Sequence, residues 1–249
     1  MKHSSTTPWN TDFFESMLTI FPPSIRPLYI PFKRIRGSTE FFIKRALFIS
    51  ITTPTSAMYR SVEESILLRK TIYRQFNISE ITQVPEKLNV LYIAREGSNR
   101  QILNEEELLE KLHSIDETAI ITKRYFARLT FEQQVKLMST VDFTFGIHGA
   151  AFINILFMRP KSALLEFFAP TFHAGYYEAI SLTSYMFYDS VRDNFVEYIV
   201  NNKTKKKRKH VKDPRNANLN INLKSAAVKY TQLLQHVKEE KYKSVPVVL

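Results

Sequence analysis

Cysteine is absent from this chain of 249 residues, which excludes a disulfide framework and any thiolate metal site. Glycine is scarce. Its 5 occurrences form neither the three-glycine fingerprint of dinucleotide-binding turns nor the lysine-bearing phosphate loop of nucleoside triphosphatases. No His-Glu-x-x-His sequence occurs, and none of the 6 aspartates stands in an Asp-x-Asp pair, so a zinc centre and a metal-carboxylate diphosphate site both lack their usual ligands. No metal is expected. Apolar runs such as Ala46 to Ile51 fall far short of the roughly 20 residues that span a bilayer. The amino terminus, Met1 to Phe14, has no signal-peptide core. The reading is a soluble chain with no transmembrane segment and no targeting address.

What is present is distributed unevenly. The formal net charge is +11, but residues 201–249 hold 13 lysines and arginines against 3 acidic residues, leaving 22 basic against 21 acidic residues in the first 200. The basic field therefore belongs to the tail. Most of it lies in Lys203 to His210, which reads as a solvated loop, with a polyanion or nuclear-import patch as the alternative. Nucleic acid is not an expected partner of the main body, whose hydrophobic content, 44% over the whole chain, is enough for a substantial core. The sequons at Asn77 and Asn202 matter only in a secretory compartment.

The first fifty positions are rich in proline and aromatic residues and read as a β-rich remnant, residues 1–57. From Met58 to Phe76, apolar residues recur at helical spacing and predict one long amphipathic helix. After Pro85 the chain alternates. Strands are expected at 88–94, 118–123, 142–147, 162–168 and within 185–191. Helices are expected at 104–113, with Asn104 as its cap, at 130–141, at 149–158 and from Gly175 onward. Apolar strands alternating with helices predict an α/β fold, a Rossmann-like parallel sheet with helices on both faces over residues 58–200. The basic loop would run over 201–216, and a helix and tail over 217–249.

Three features fall where ligands bind such sheets, beyond the carboxyl ends of the strands. Gly146 and Gly149 flank His148 between a strand and a helix, so the backbone up to Ala150 can approach an anion closely; the same glycines also suit a plain tight turn. Arg95 follows a strand end and Arg100 lies five residues on, where guanidinium groups can clamp phosphate oxygens or simply stay solvated. Glu166 sits near the end of an apolar strand, where a carboxylate must either reach water or hold a partner such as a ribose hydroxyl. Diphosphate and ribose together point to a nucleotide.

The segments Ala94 to Leu108 and Phe131 to Phe168 carry a resemblance. The first resembles the Arg…Arg-x-Ile/Leu-Asn-Glu segment of glycosyltransferase family 61, and the second resembles its His-Gly-Ala turn, Leu-Phe-x-x-Pro helix end and Glu-bearing strand. The likeness extends from about Met58 to Val200. It implies the carboxyl-terminal, donor-binding half of a GT-B fold and an inverting, metal-independent transfer of N-acetylglucosamine or xylose from a UDP-sugar to a glycoprotein or glycan acceptor. Donor-binding residues implied are Arg95, Arg100, Asn104, Gly146, His148, Gly149, Ala150 and Glu166. Tyr176 and Tyr177 match a family aromatic and line either the uracil or the core. The catalytic base is left unassigned: His148 and Asp142 are the groups to consider in this chain, and an acceptor-side half is the other place for it. A lumenal setting, Golgi or endoplasmic reticulum, is implied as well. Fewer than about 80 residues precede the donor domain, too few for a second complete one. The alternative is therefore a truncated, inactive module that binds nucleotide-sugar.

Overall fold

The computed structural model describes residues 8–19, 23, 61–79, 87–197 and 214–241. The expectations for the basic run 203–210, for the sequon at Asn202 and for most of residues 1–57 lie outside these. Within the early region the described part is helical rather than β-rich: α1 spans Pro8–Leu18. Proline suits a first helical position because the N–H it lacks would have no partner there. Phe13 fixes α1 to the domain, with its ring 6.3 Å from Phe131 and 6.5 Å from Phe157.

Helix α2, Val62–Gln75, begins where Ser61 Oγ accepts the Glu64 amide and two glutamates occupy the first turn. The alternating part follows as β1 (Asn89–Ala94), α3 (Glu105–His113), β2 (Ile120–Tyr125), α4 (Phe131–Ser139), β3 (Phe143–Ile147), β4 (Ala163–Phe167), α5 (Tyr176–Thr183) and β5 (Phe187–Val191). Helix α4 opens on a capping box in which Thr130 and Gln133 satisfy each other's backbone amides. β2 starts two residues later than the sequence suggests. Asp116 Oδ1 accepts both the amide and the hydroxyl of Thr118, at 3.1 and 2.6 Å, so that stretch is spent on a turn.

The five strands form one parallel sheet in the order β2-β1-β3-β4-β5. This is an open, doubly wound α/β sheet of the Rossmann-like kind, as the alternation predicts. One face packs Val90, Tyr92, Phe143, Phe145 and Leu165 against α3 and a carboxyl-terminal helix, α6 (Leu223–Lys241). The other face packs Leu91, Ile93 and Leu164 against α1, α2, α4 and α5. Ahead of α6, two short strands, β6 (Phe195–Glu197) and β7 (Asn218–Asn220), pair antiparallel.

Between β3 and β4 the expected α-helix is a 3-10 segment, Ala150–Phe157. Its apolar side chains point inward on several sides, and its final carbonyls find partners outside the segment. Tyr73 Oη donates to Phe157 O at 2.7 Å and Arg69 Nη1 to Met158 O at 3.3 Å. No described helix is long and apolar enough to cross a membrane.

Candidate functional site

In the observed strand order, β1 leads outward to β2 while β3 leads the other way to β4. The crossovers diverge and leave a crevice beyond the carboxyl ends of β1 and β3, the position at which open α/β sheets bind ligands. Arg95 is the first residue after β1, and His148 and Gly149 are the first after β3. The sheet's register therefore brings the sequence's separate anion features to one place.

Arg95 lies across the β3 turn. Its Nη1 donates to His148 O at 3.4 Å, and a Cβ on Gly149 would meet Nη1 at 2.1 Å. Gly149 has an extended backbone, φ 176°, so its smallness makes room for the guanidinium. Gly146 serves a different close approach: a Cβ there would stand 2.7 Å from Ile93 O, on the neighbouring strand. Burial lowers the Arg95 pKa from its ordinary value, the charge of Arg100 lowers it further, and Tyr177 opposes both. No carboxylate among the described residues pairs with Arg95 or Arg100. Arg95 and Arg100 are thus two neighbouring cations, and Glu96, which lines the same cavity as Arg95, is engaged by Arg128. Arg100, held at φ 59°, donates from Nη2 to Asn216 Oδ1 at 3.2 Å.

His148 is mostly buried, stacked 4.9 Å from Phe168 and edge-on to Phe172, with Tyr177 5.4 Å away. Its Nδ1 lies 2.9 Å from Glu166 Oε1. Tyr188 Oη donates to Glu166 Oε2 at 2.9 Å. Burial pushes the Glu166 carboxyl above its ordinary value, against the lowering effect of His148 and Tyr188. With Glu166 ionised, the Nδ1 proton is donated to the carboxylate, leaving Nε2 as the nitrogen that Glu166 does not engage. Glu166 is 0% exposed and both of its oxygens are engaged inside the protein. In this structure it orients His148 and makes no contact outside the fold.

The remaining predicted residues divide. Ala150 is exposed at the start of the 3-10 segment, whose first amides have no acceptor within it. Tyr177 packs beside His148 and Phe152, whereas Tyr176 is exposed. Asn104 makes no side-chain cap bond, contrary to expectation. Its side chain instead exchanges two hydrogen bonds with the Ile221 backbone, at 3.0 and 2.8 Å. Asp142 is excluded as a base here. It stands ahead of β3, where it accepts from Asn89 N at 2.8 Å and from Arg159 Nη2 at 2.5 Å, about 20 Å of strand away from His148. Tyr188 was not foreseen. Its only sequence signal is that it lies on the strand beside β4 and points to the same face as Glu166. Beside Gly149 a cavity of about 160 Å3 opens, lined by Arg95, Glu96, Tyr125, Ala127 and Phe152 among others.

These features define an open α/β sheet with a cationic switch-point crevice. The chain belongs to glycosyltransferase family 61, whose family model, described as glycosyltransferase 61, matches residues 7–165. That match starts earlier than the resemblance suggested and ends one residue before Glu166. Among curated relatives, the EGF domain-specific O-linked N-acetylglucosamine transferase of Drosophila melanogaster is 29% identical over 113 residues, 45% of this chain and 20% of the relative. Proteins of the same name from Rattus norvegicus and Xenopus laevis are 28% identical over 115 residues and 25% over 114, each covering 45% of this chain and 20% or 21% of the relative. The aligned stretch thus spans about a fifth of the relatives it matches.

Proposed function

We propose that this chain holds the UDP moiety of a UDP-sugar in the switch-point crevice and takes part in an inverting, metal-independent transfer of that sugar to a glycoprotein or glycan hydroxyl. N-acetylglucosamine is the first choice of sugar, supported by the names of the relatives, and xylose the second. The observation that carries the reading is the pair of neighbouring arginines, Arg95 and Arg100, set without a carboxylate partner among the described residues where an α/β sheet binds its ligand.

In such a transfer the acceptor oxygen bonds the anomeric carbon while the bond from that carbon to the β-phosphate oxygen breaks. UDP leaves with the electron pair, and the hydroxyl proton passes to a base. Cationic groups and N–H dipoles preset around the diphosphate stabilise the charge that develops on it, so they act more strongly on the transition state than on the bound donor. Arg95, Arg100 and the Ala150 amide take that role. His148 offers Nε2 to the diphosphate or the sugar, and Glu166, with Tyr188 behind it, holds the ring in place. Glu166 thus acts on the donor through His148, in place of a direct ribose contact. Tyr177 supports the ring from its other side, and Tyr176 is left for the uracil side.

Calorimetric titration with UDP, followed by assays of UDP release from UDP-N-acetylglucosamine and UDP-xylose with and without EDTA, tests this. The wild type is expected to bind UDP and to release it from one donor regardless of EDTA. Unchanged UDP affinity in both Arg95→Ala and Glu166→Ala would remove the site assignment, and binding without any release would make the chain a nucleotide-sugar-binding module. A lumenal setting goes with the reading. Asn77 is exposed at the end of α2, and a glycosidase-sensitive mass shift lost in Asn77→Gln checks it.

A further inference from the structure

Beyond β6 the chain comes back to the crevice from the side opposite α4. The returning segment is fastened to the loop after β1 along its length. Asn216 Oδ1 accepts from Arg100, Asn218 Oδ1 accepts from Gln101 N at 3.0 Å, and Leu219 exchanges backbone bonds with Gln101 and Leu103 at 2.9 and 2.8 Å. Asn104 then closes the seam on Ile221. Ala217, Leu219 and Ile221 are buried in the core between these links, so the segment has one register. At its start, the 3-10 turn Pro214–Asn216 presents Arg215, an exposed residue, to a small cavity that it shares with His148, Phe168 and Phe172. Arg95 reaches the same His148-Gly149 turn from the other flank.

From this convergence we infer that the returning segment is a wall of the donor site: Arg215 is a third cationic contact for the diphosphate, and Asn216 is the positioning residue that aims Arg100. The inference rests on the nucleotide-sugar reading above and extends it beyond residue 165, where the family match ends. Its physical basis is placement. A diphosphate carries its charge over several oxygens, and three guanidinium groups around one turn meet more of them than two. Asn216 is neutral, so it fixes the direction of Arg100 without cancelling its charge, which a carboxylate in that place would do.

Titrations of the full chain with UDP and with uridine separate this from its rivals. Arg215→Ala is expected to weaken UDP about tenfold or more, the range for a charge-assisted hydrogen bond, while uridine affinity stays as in the wild type. Arg215→Lys recovers part of the loss. Asn216→Ala weakens UDP in the wild-type background and adds nothing once Arg100 is already alanine, a coupling that a merely structural asparagine would not show. UDP affinity of Arg215→Ala within about twofold of wild type, or an equal loss for UDP and uridine, overturns the role of Arg215. Independent losses for Asn216 and Arg100 overturn the positioning role. A wild type that does not bind UDP at all overturns the donor reading itself, and this inference with it.

Discussion

The two edges of the same sheet treat their least exposed lysines and arginines in opposite ways. At the amino edge, buried charges are paired within the fold: Asp142 binds Arg159 and the Asn89 amide, and Lys161 donates to Glu240 O at 3.1 Å with the Glu240 carboxylate 3.8 Å away. At the carboxyl edge, Arg95 is half-buried beside Arg100, and neither finds a carboxylate among the described residues. A partnered buried charge serves the fold, because its removal leaves the partner desolvated and alone. A half-buried cation beside a second cation costs the fold free energy, which the bond from Arg95 to His148 O and the nearby Tyr177 offset in part. The contrast separates residues that hold the sheet together from residues that the sheet holds ready.

The strongest test breaks the paired edge. Asp142→Ala strands Arg159 and the Asn89 amide, so urea unfolding should show a loss of about 3–5 kcal/mol, with UDP affinity unchanged in the protein that remains folded. Arg95→Ala should do the reverse. Isothermal titration is expected to show UDP binding weaker by about ten- to a hundredfold, with no fall in the ligand-free Tm. Gly149→Ala sharpens the same point without touching a charge. Its methyl would occupy the space of Arg95 Nη1, and UDP affinity should drop about tenfold in the wild-type background and no further in Arg95→Ala. The smallest effect is one of pH. Because the folded pKa of Glu166 is raised, the unfolded chain ionises first as pH climbs above 4.5, while the buried carboxyl keeps its proton. Wild-type stability should therefore decline with pH through that window relative to Glu166→Gln, and Tm measured across it decides the matter.

The layers were legible in sequence because burial on both faces writes continuous apolar runs such as Val90 to Ala94, and the intervening helices carry caps such as Thr130. The 3-10 segment was not, since a stretch as apolar as Ala150–Phe157 has no periodicity to distinguish tight from ordinary winding. Arg95, His148, Gly149 and Glu166 were placed together by a local rule, the strand end. Their division of labour was hidden. That Gly149 yields to Arg95, and that Glu166 faces His148 and Tyr188, depends on cross-strand register, which a single sequence does not print. Asn104 shows the same limit from another side. Its position was that of a cap, but its partner, Ile221, lies more than a hundred positions away.

The seating of α6 has a consequence for the chain's birth. This helix roofs one face of the sheet with Tyr230, Leu233, Leu234 and Val237, yet it follows every strand in the order of synthesis. Before it emerges from the ribosome, the described cover for Phe143, Phe145 and Leu165 is α3, Ile102 and the short segment Ala217 to Ile221. That face of the sheet is therefore completed last, and apolar surface stays open on it until the final helix is made.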